Sequence, residues 1–283
     1  MRGDRGGCRY VHPSPALRRR CKPNRDPAES AVPPTSKALA KELRIADMHY
    51  WNRSNFEDLL KLAEELHADA NLGPLSSYCR YRKKGLRREA FSELERFLEA
   101  SRSFDSAAAR AAAVRILELN ARASKAHQFL TQPLVTRFLI PTLKAWMDDE
   151  PAASTPVRWL GLMSRDNSLL ERALSLSPED TPVRKRLIES DISLADYATH
   201  HLDESRFLGN VDEVIAALTH ARELIADAPE PQALAHLLSE VHCFATQVAD
   251  WRAFSENPEG SFPEWCAKQG KKYNYPAKYY YTR

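Results

Sequence analysis

The chain has 283 residues and only 9 Gly. Ala, Leu, Glu and Arg, all abundant in it, are residues that enter helices at least cost, which excludes a turn-dense all-β fold. The net charge of +3 is uneven: residues 1–37 carry +6, residues 261–283 carry +4, and the stretch between them is left at −7, so no uniform basic field invites a polyanion along the whole chain.

Residues 1–37 hold six Pro and three Gly with little apolar periodicity, and are expected to be a disordered basic arm. From residue 38 to 260 a helical domain is expected. Leu39, Leu43, Ala46 and Tyr50 mark one face of a helix over 38–53. Ser54-Asn55-Phe56-Glu57 has the form of a capping box, behind which Leu59, Ala63 and Leu66 line a second helix. Tyr78 and Tyr81 end the next helix, Gly85 makes its turn, and Ala90, Leu94 and Phe97 line the partner that follows. Helices over 105–126 and 133–148 come next, the second bent at Pro141.

In "SLLERALSLSPEDTPVRKRL" (168–187) one helix stops at Pro178 and another restarts behind Thr181-Pro182, the mark of a hairpin corner. A further helix over 193–207, with Ser193 as its cap, turns at Gly209-Asn210 into one lined by Val214, Leu218 and Ala221. A long helix over 231–255 closes the series, with Leu237, Val241 and Val248 among its inward residues. Residues 261–283 form a basic, Tyr-rich end, expected to cap the last exposed apolar edge with Trp251, Phe254, Phe262 and Trp265 as its apolar body.

Three of these stretches resemble tetratricopeptide repeats, whose unit is a helical hairpin of about 34 residues. "FLGNVDEVIAALTHARELI" (207–225) has a Leu-Gly-Asn turn before a helix of apolar and small residues. "YRKKGLRREAFSELERFLEA" (81–100) places Tyr81, Gly85, Ala90 and Phe97 where the family has its aromatic, turn, small and packing residues. "LLERALSLSP" (169–178) resembles a repeat's end, and "YWNRSNFEDLLKLAEEL" (50–66) is a weaker copy. The spacing departs from a fixed period, 31 residues from Tyr50 to Tyr81 but 48 from Ala173 to Ala221, and the family's tryptophan and glycine of the first helix are absent. The resemblance implies an all-α superhelix of stacked hairpins, with the first helix of each hairpin on the concave side.

On that register the concave side presents Lys41, Arg44, Trp51 and Asn52, then Arg82 and Lys83, then His200, Asp203 and Arg206. The family's use of such positions implies a non-enzymatic module that binds a protein or peptide, and these cations suit an acidic one. Two other classes stand beside it. The basic ends, or the six cations of "CRYRKKGLRR" (79–88), suit nucleic-acid or lipid phosphates. In "YATHHLDESRF" (197–207), His200 and Glu204 fall four apart on the expected helix, two ligands towards a metal-dependent enzyme that needs three or four. No Walker loop, G-x-S-x-G or dinucleotide fingerprint is present, so no cofactor is expected. Five scattered cysteines without a C-x-x-C pair argue against a disulfide framework or thiolate zinc site and suggest reduced, cytoplasmic thiols. No apolar run nears the roughly 20 residues that span a bilayer, and Arg and Pro interrupt the place where a secretory signal would lie.

Overall fold

The structure, a computed structural model, describes residues 53–123 and 125–273, and every regular element among them is helical. None of these helices is long and apolar enough to cross a membrane. The expected arm over 1–37, nearly all of the expected helix over 38–53 and the tail from 274 onward lie outside the described residues. The chain divides into two compact units, with the boundary in sequence between Ser190 and Asp191.

The first unit is a run of helices in which each buries its apolar stripe mainly against a close neighbour in sequence. They are α1 (Arg53–His67), α2 (Gly73–Lys83), α3 (Arg87–Ala100), α4 (Ser106–Arg122), α5 (Ile140–Asp149), α6 (Ser154–Ser164), α7 (Asn167–Leu176) and the first half of α8 (Thr181–Thr199). α1 packs on α2, α2 on α3, α5 on α6 and α6 on α7, while α4 lies against both α1 and α5. The spacing of Leu59, Leu62, Ala63 and Leu66 puts them on one side of α1, and all four are buried. Ala90, Leu94 and Phe97 do the same for α3. Each fully buried Leu or Phe contributes about 1.5–3 kcal/mol. Phe97, Phe104 and Phe138 meet edge to face, the closest pair 5.0 Å apart between ring centres. This arrangement sets each ring's positive edge against its neighbour's negative face.

Local chemistry sets the corners. Gly85 has φ of +76°, and the N–H groups of Gly85 and Leu86 donate to the carbonyls of Arg82 and Tyr81 at 3.1 and 3.0 Å. That pairing is a Schellman motif, closed by a residue without a Cβ. Asp105 caps α4 by accepting from the Ala108 N–H at 2.7 Å. The stop at Pro178 and restart at 181 occur as expected, but Asp180 rather than Thr181 is the cap, since its Oδ1 accepts from the Val183 N–H at 3.1 Å. Arg158 on α6 holds the same carboxylate at 2.6 Å.

Two expectations are corrected, those for Ser54 and Ser193, and two features go beyond the sequence reading. Arg53 is already helical, so Ser54 lies inside α1 and caps nothing; Glu57 pairs with Arg53 at 2.7 Å instead. Pro141 has no N–H to give the carbonyl four residues back. The backbone meets this with a π-helical segment, Val135–Leu139, in which the Ile140 N–H reaches the Val135 carbonyl. Ser193 starts no helix: α8 runs unbroken from Thr181 to Thr199, and a 3₁₀ turn, Leu202–Glu204, replaces the expected helical end. Finally α6, which the sequence pattern did not announce, spans a stretch with Pro156 and Gly161. Pro156 falls in the first turn, where N–H groups have no helical partner anyway. Gly161 faces α7 so closely that a Cβ there would lie 2.9 Å from Leu170 Cδ2 and 3.1 Å from the Leu170 nitrogen.

The second unit, described over residues 191–273, contains the end of α8, α9 (Val211–Ala226), α10 (Ala235–Glu256) and α11 (Phe262–Lys268). Asn210 caps α9 by accepting from the Asp212 and Glu213 N–H groups, and α9 packs on α10. His220 of α9 bonds Asp191 of α8 at 2.9 Å. Ser261 and Glu264 form a reciprocal capping box at α11, and the bonds Glu264 accepts hold its carboxyl below the usual range. Trp251, Phe254, Phe262 and Trp265, the expected apolar body of the C-terminal end, come together with Phe207 and Tyr273 around buried Leu202 and Cys266. Asp250 is buried beneath this cluster and accepts bonds from Lys271 and the Tyr273 hydroxyl, which ties residues 271–273 back to α10.

Two measurements check this packing. Gly161→Val overfills the α6–α7 contact and is expected to lower stability by about 2 kcal/mol in chemical denaturation. Gly73→Ala, where a Cβ would meet nothing within 4 Å, should be neutral or gain up to about 1 kcal/mol. Burial raises the Cys79 thiol well above its ordinary range. Site-resolved alkylation near neutral pH should therefore label half-buried Cys243 and spare Cys79 until the fold is denatured.

Candidate functional site

The residues expected on one concave face fall in separate parts of the chain. Lys41, Arg44, Trp51 and Asn52 lie outside the described residues. Arg82 and Lys83 belong to one unit, and His200, Asp203 and Arg206 to the other. Arg82 is already engaged: its Nε donates to Gln128 Oε1 at 3.0 Å and its guanidinium lies over the Phe91 ring. The neighbouring Tyr78 hydroxyl donates to the Gln128 carbonyl at 2.6 Å, and burial raises that phenol above its ordinary range. Lys83 and Arg206 are exposed. His200 turns its Nδ1 onto the Tyr197 carbonyl, 2.5 Å away, and stacks at a tilt against His201.

The pairing of His200 with Glu204 rested on a helix running through both. With α8 ending at Thr199, it is His201 that approaches Glu204, at 3.6 Å, and the 3₁₀ turn adds Asp203. Among the described residues, His201, Asp203 and Glu204 are the group whose ligand atoms converge for a metal ion, all within 4.8 Å of one another. They supply three ligand atoms on a partly exposed turn, with carboxylates that also make other interactions.

A different feature is built from the helices outward. α9 carries Ile215, Leu218, Thr219 and Arg222 at i, i+3, i+4 and i+7, hence on one side. α10 opposes them with Ala245, Ala249 and Ala253, each four residues apart, flanked by Arg252 and Glu256. The alanine methyl groups of α10 are too short to fill the space beside these α9 side chains. The result is an open groove of about 450 Å³. Leu218, almost fully buried, is its floor, and Ile215 is half-exposed on its wall.

The rim is charged. No described residue forms an ion pair with the exposed Arg222. Arg252 reaches Asp212 at 3.6 Å, but both side chains are more than half exposed. Such a pair contributes at most about 1 kcal/mol and exchanges readily for another anion. Glu256 adds one negative charge at the far end. The sequence reading placed Leu218 on a packed face but took neither Arg222 nor the alanine row as a site. The signal was present: four-residue alanine spacing opposite an apolar stripe, with arginines one helical step to the side.

Searches against known protein families, curated proteins and solved structures found no match to this chain.

Proposed function

We propose that this chain is a non-enzymatic binding module of tetratricopeptide-like build that receives an acidic protein or peptide segment in the groove between α9 and α10. The carrying observation is the groove itself: an open, apolar-floored channel of about 450 Å³ whose rim holds an arginine with no ion pair among the described residues. Helices joined by short corners into successive packed pairs support the repeat-like reading, in which stacked hairpins share a core and leave one face open. The groove sides belong to helices anchored by their own buried residues, so binding requires little ordering on the receptor's part. A partner with an apolar side chain for the channel and a carboxylate for Arg222 satisfies both parts at once. A charge-assisted contact of that kind contributes about 1.5–3 kcal/mol when desolvated.

An array of acidic amphipathic peptides, read by fluorescence polarisation, tests this. Peptides selected by the wild-type protein should lose roughly tenfold or more in affinity with Arg222→Glu, since each 1.4 kcal/mol is tenfold. Ala249→Trp, which fills the channel and leaves the charge untouched, should abolish the same binding. Unchanged affinity in both variants, with helical circular dichroism intact, would overturn the assignment.

A further inference from the structure

The corner between α2 and α3 carries a surface that the groove does not explain. Residues 83–89 are exposed without interruption, so the hairpin tip stands clear of the core behind it. Arg80, Arg82, Lys83, Lys84, Arg87 and Arg88 crowd this tip, and Glu89 is its one acid. Arg82 is held by Gln128, and Arg87 lies over the Phe91 ring. No described acid forms an ion pair with Arg80, Lys83, Lys84 or Arg88. In their midst Leu86 leaves 41% of its surface in water.

Helix stability does not account for this charge. Cations at the end of α2 are favoured by its dipole, and Arg80, Arg82 and Lys83 sit there. Arg87 and Arg88 occupy the first turn of α3, where the same effect opposes them. The Schellman turn at Gly85 fixes both sets on one tip, with the leucine between them. A protruding apolar residue ringed by cations matches a surface that is anionic at its boundary and apolar just beneath.

We infer that the α2–α3 corner docks on an anionic lipid bilayer, with Lys83, Lys84 and Arg88 at the headgroups and Leu86 entering the acyl boundary. Nucleic acid fits less well. Single-strand binding draws on exposed aromatic faces, and here the Phe91 ring lies under the guanidiniums of Arg82 and Arg87 while Tyr78 is buried edge-on against it. Phosphates alone would also leave Leu86 in water.

Co-sedimentation of the full chain with vesicles tests the inference. The protein should pellet with phosphatidylcholine vesicles containing phosphatidylserine and stay in solution with phosphatidylcholine alone. Lys84→Glu with Arg88→Glu should weaken partitioning by about tenfold or more, because each basic residue near such a surface contributes a factor of roughly five. Leu86→Ser should weaken it several-fold at low and high salt alike, as an apolar contact is not screened. Circular dichroism reports that the variants remain folded. Three results would overturn it: pelleting with both vesicle types; full binding by the charge-reversed variant, which assigns the attraction to the basic ends; or loss of RNA binding in that variant with vesicle binding intact.

Discussion

The fold depends on the shortness of its corners. An amphipathic helix must cover its apolar stripe, and a chain that turns within two to six residues offers chiefly the helix just before or just after. This makes the corner residues decisive. Gly85 takes a positive φ that a Cβ would oppose, Arg165 takes a left-handed one, and Asp166 at once caps α7 through the Ser168 and Leu169 N–H groups. With only two residues between α6 and α7, the backbones come so near that Gly161 has no room for a side chain. Between α9 and α10 the link is longer and includes the 3₁₀ turn Pro231–Leu234. There the facing alanines leave volume unfilled, and the groove results.

Period and punctuation made most of the helices legible from residues alone. The stripes of α1, α3, α9 and α10 need only counting, and Gly85 and Pro178 stop their helices for reasons internal to one residue. The errors share a cause: a side chain that serves as a terminal signal also has an interior use. Ser193 resembles a cap, yet Leu187, Ile188, Ile192, Ala195 and Ala198 keep one buried stripe running past it, and that tertiary burial outweighs the local preference. In α6 the reverse holds. Pro156 and Gly161 look like breakers, but one sits where a missing N–H is harmless and the other where tight packing demands it. The groove was harder to see because it is made by absence, alanines where larger residues would have closed the contact.

Charge tells a similar story. Counting cations does not find a site, because most of those in the first unit are consumed by structure. Arg110 clamps Asp149 and Glu150 while lying over Trp146; Arg137 holds Glu95; Arg115 and Arg122 share Glu65. These pairs link helices at modest net gain, since exposed ion pairs are weak. The informative cations are those left over after pairing. Four of them, Arg80, Lys83, Lys84 and Arg88, gather at the α2–α3 tip, and Arg222 stands beside an apolar channel.

The tip and the groove differ in shape, and shape decides what each could accept. At the α2–α3 tip the cations surround an exposed corner that encloses no side chain, which suits the broad, yielding bilayer surface inferred for it. At the α9–α10 groove the cation borders a recess, so the acidic segment proposed for it would have to be narrow and to offer an apolar group that displaces water from Leu218 and the alanines. Each surface rests on helices buried in its own unit's core, and neither needs the other's residues to form. A change at one should leave the other intact. The bonds from Lys271 and Tyr273 to buried Asp250 fasten residues 271–273 to α10, the helix that supplies the alanine side of the groove.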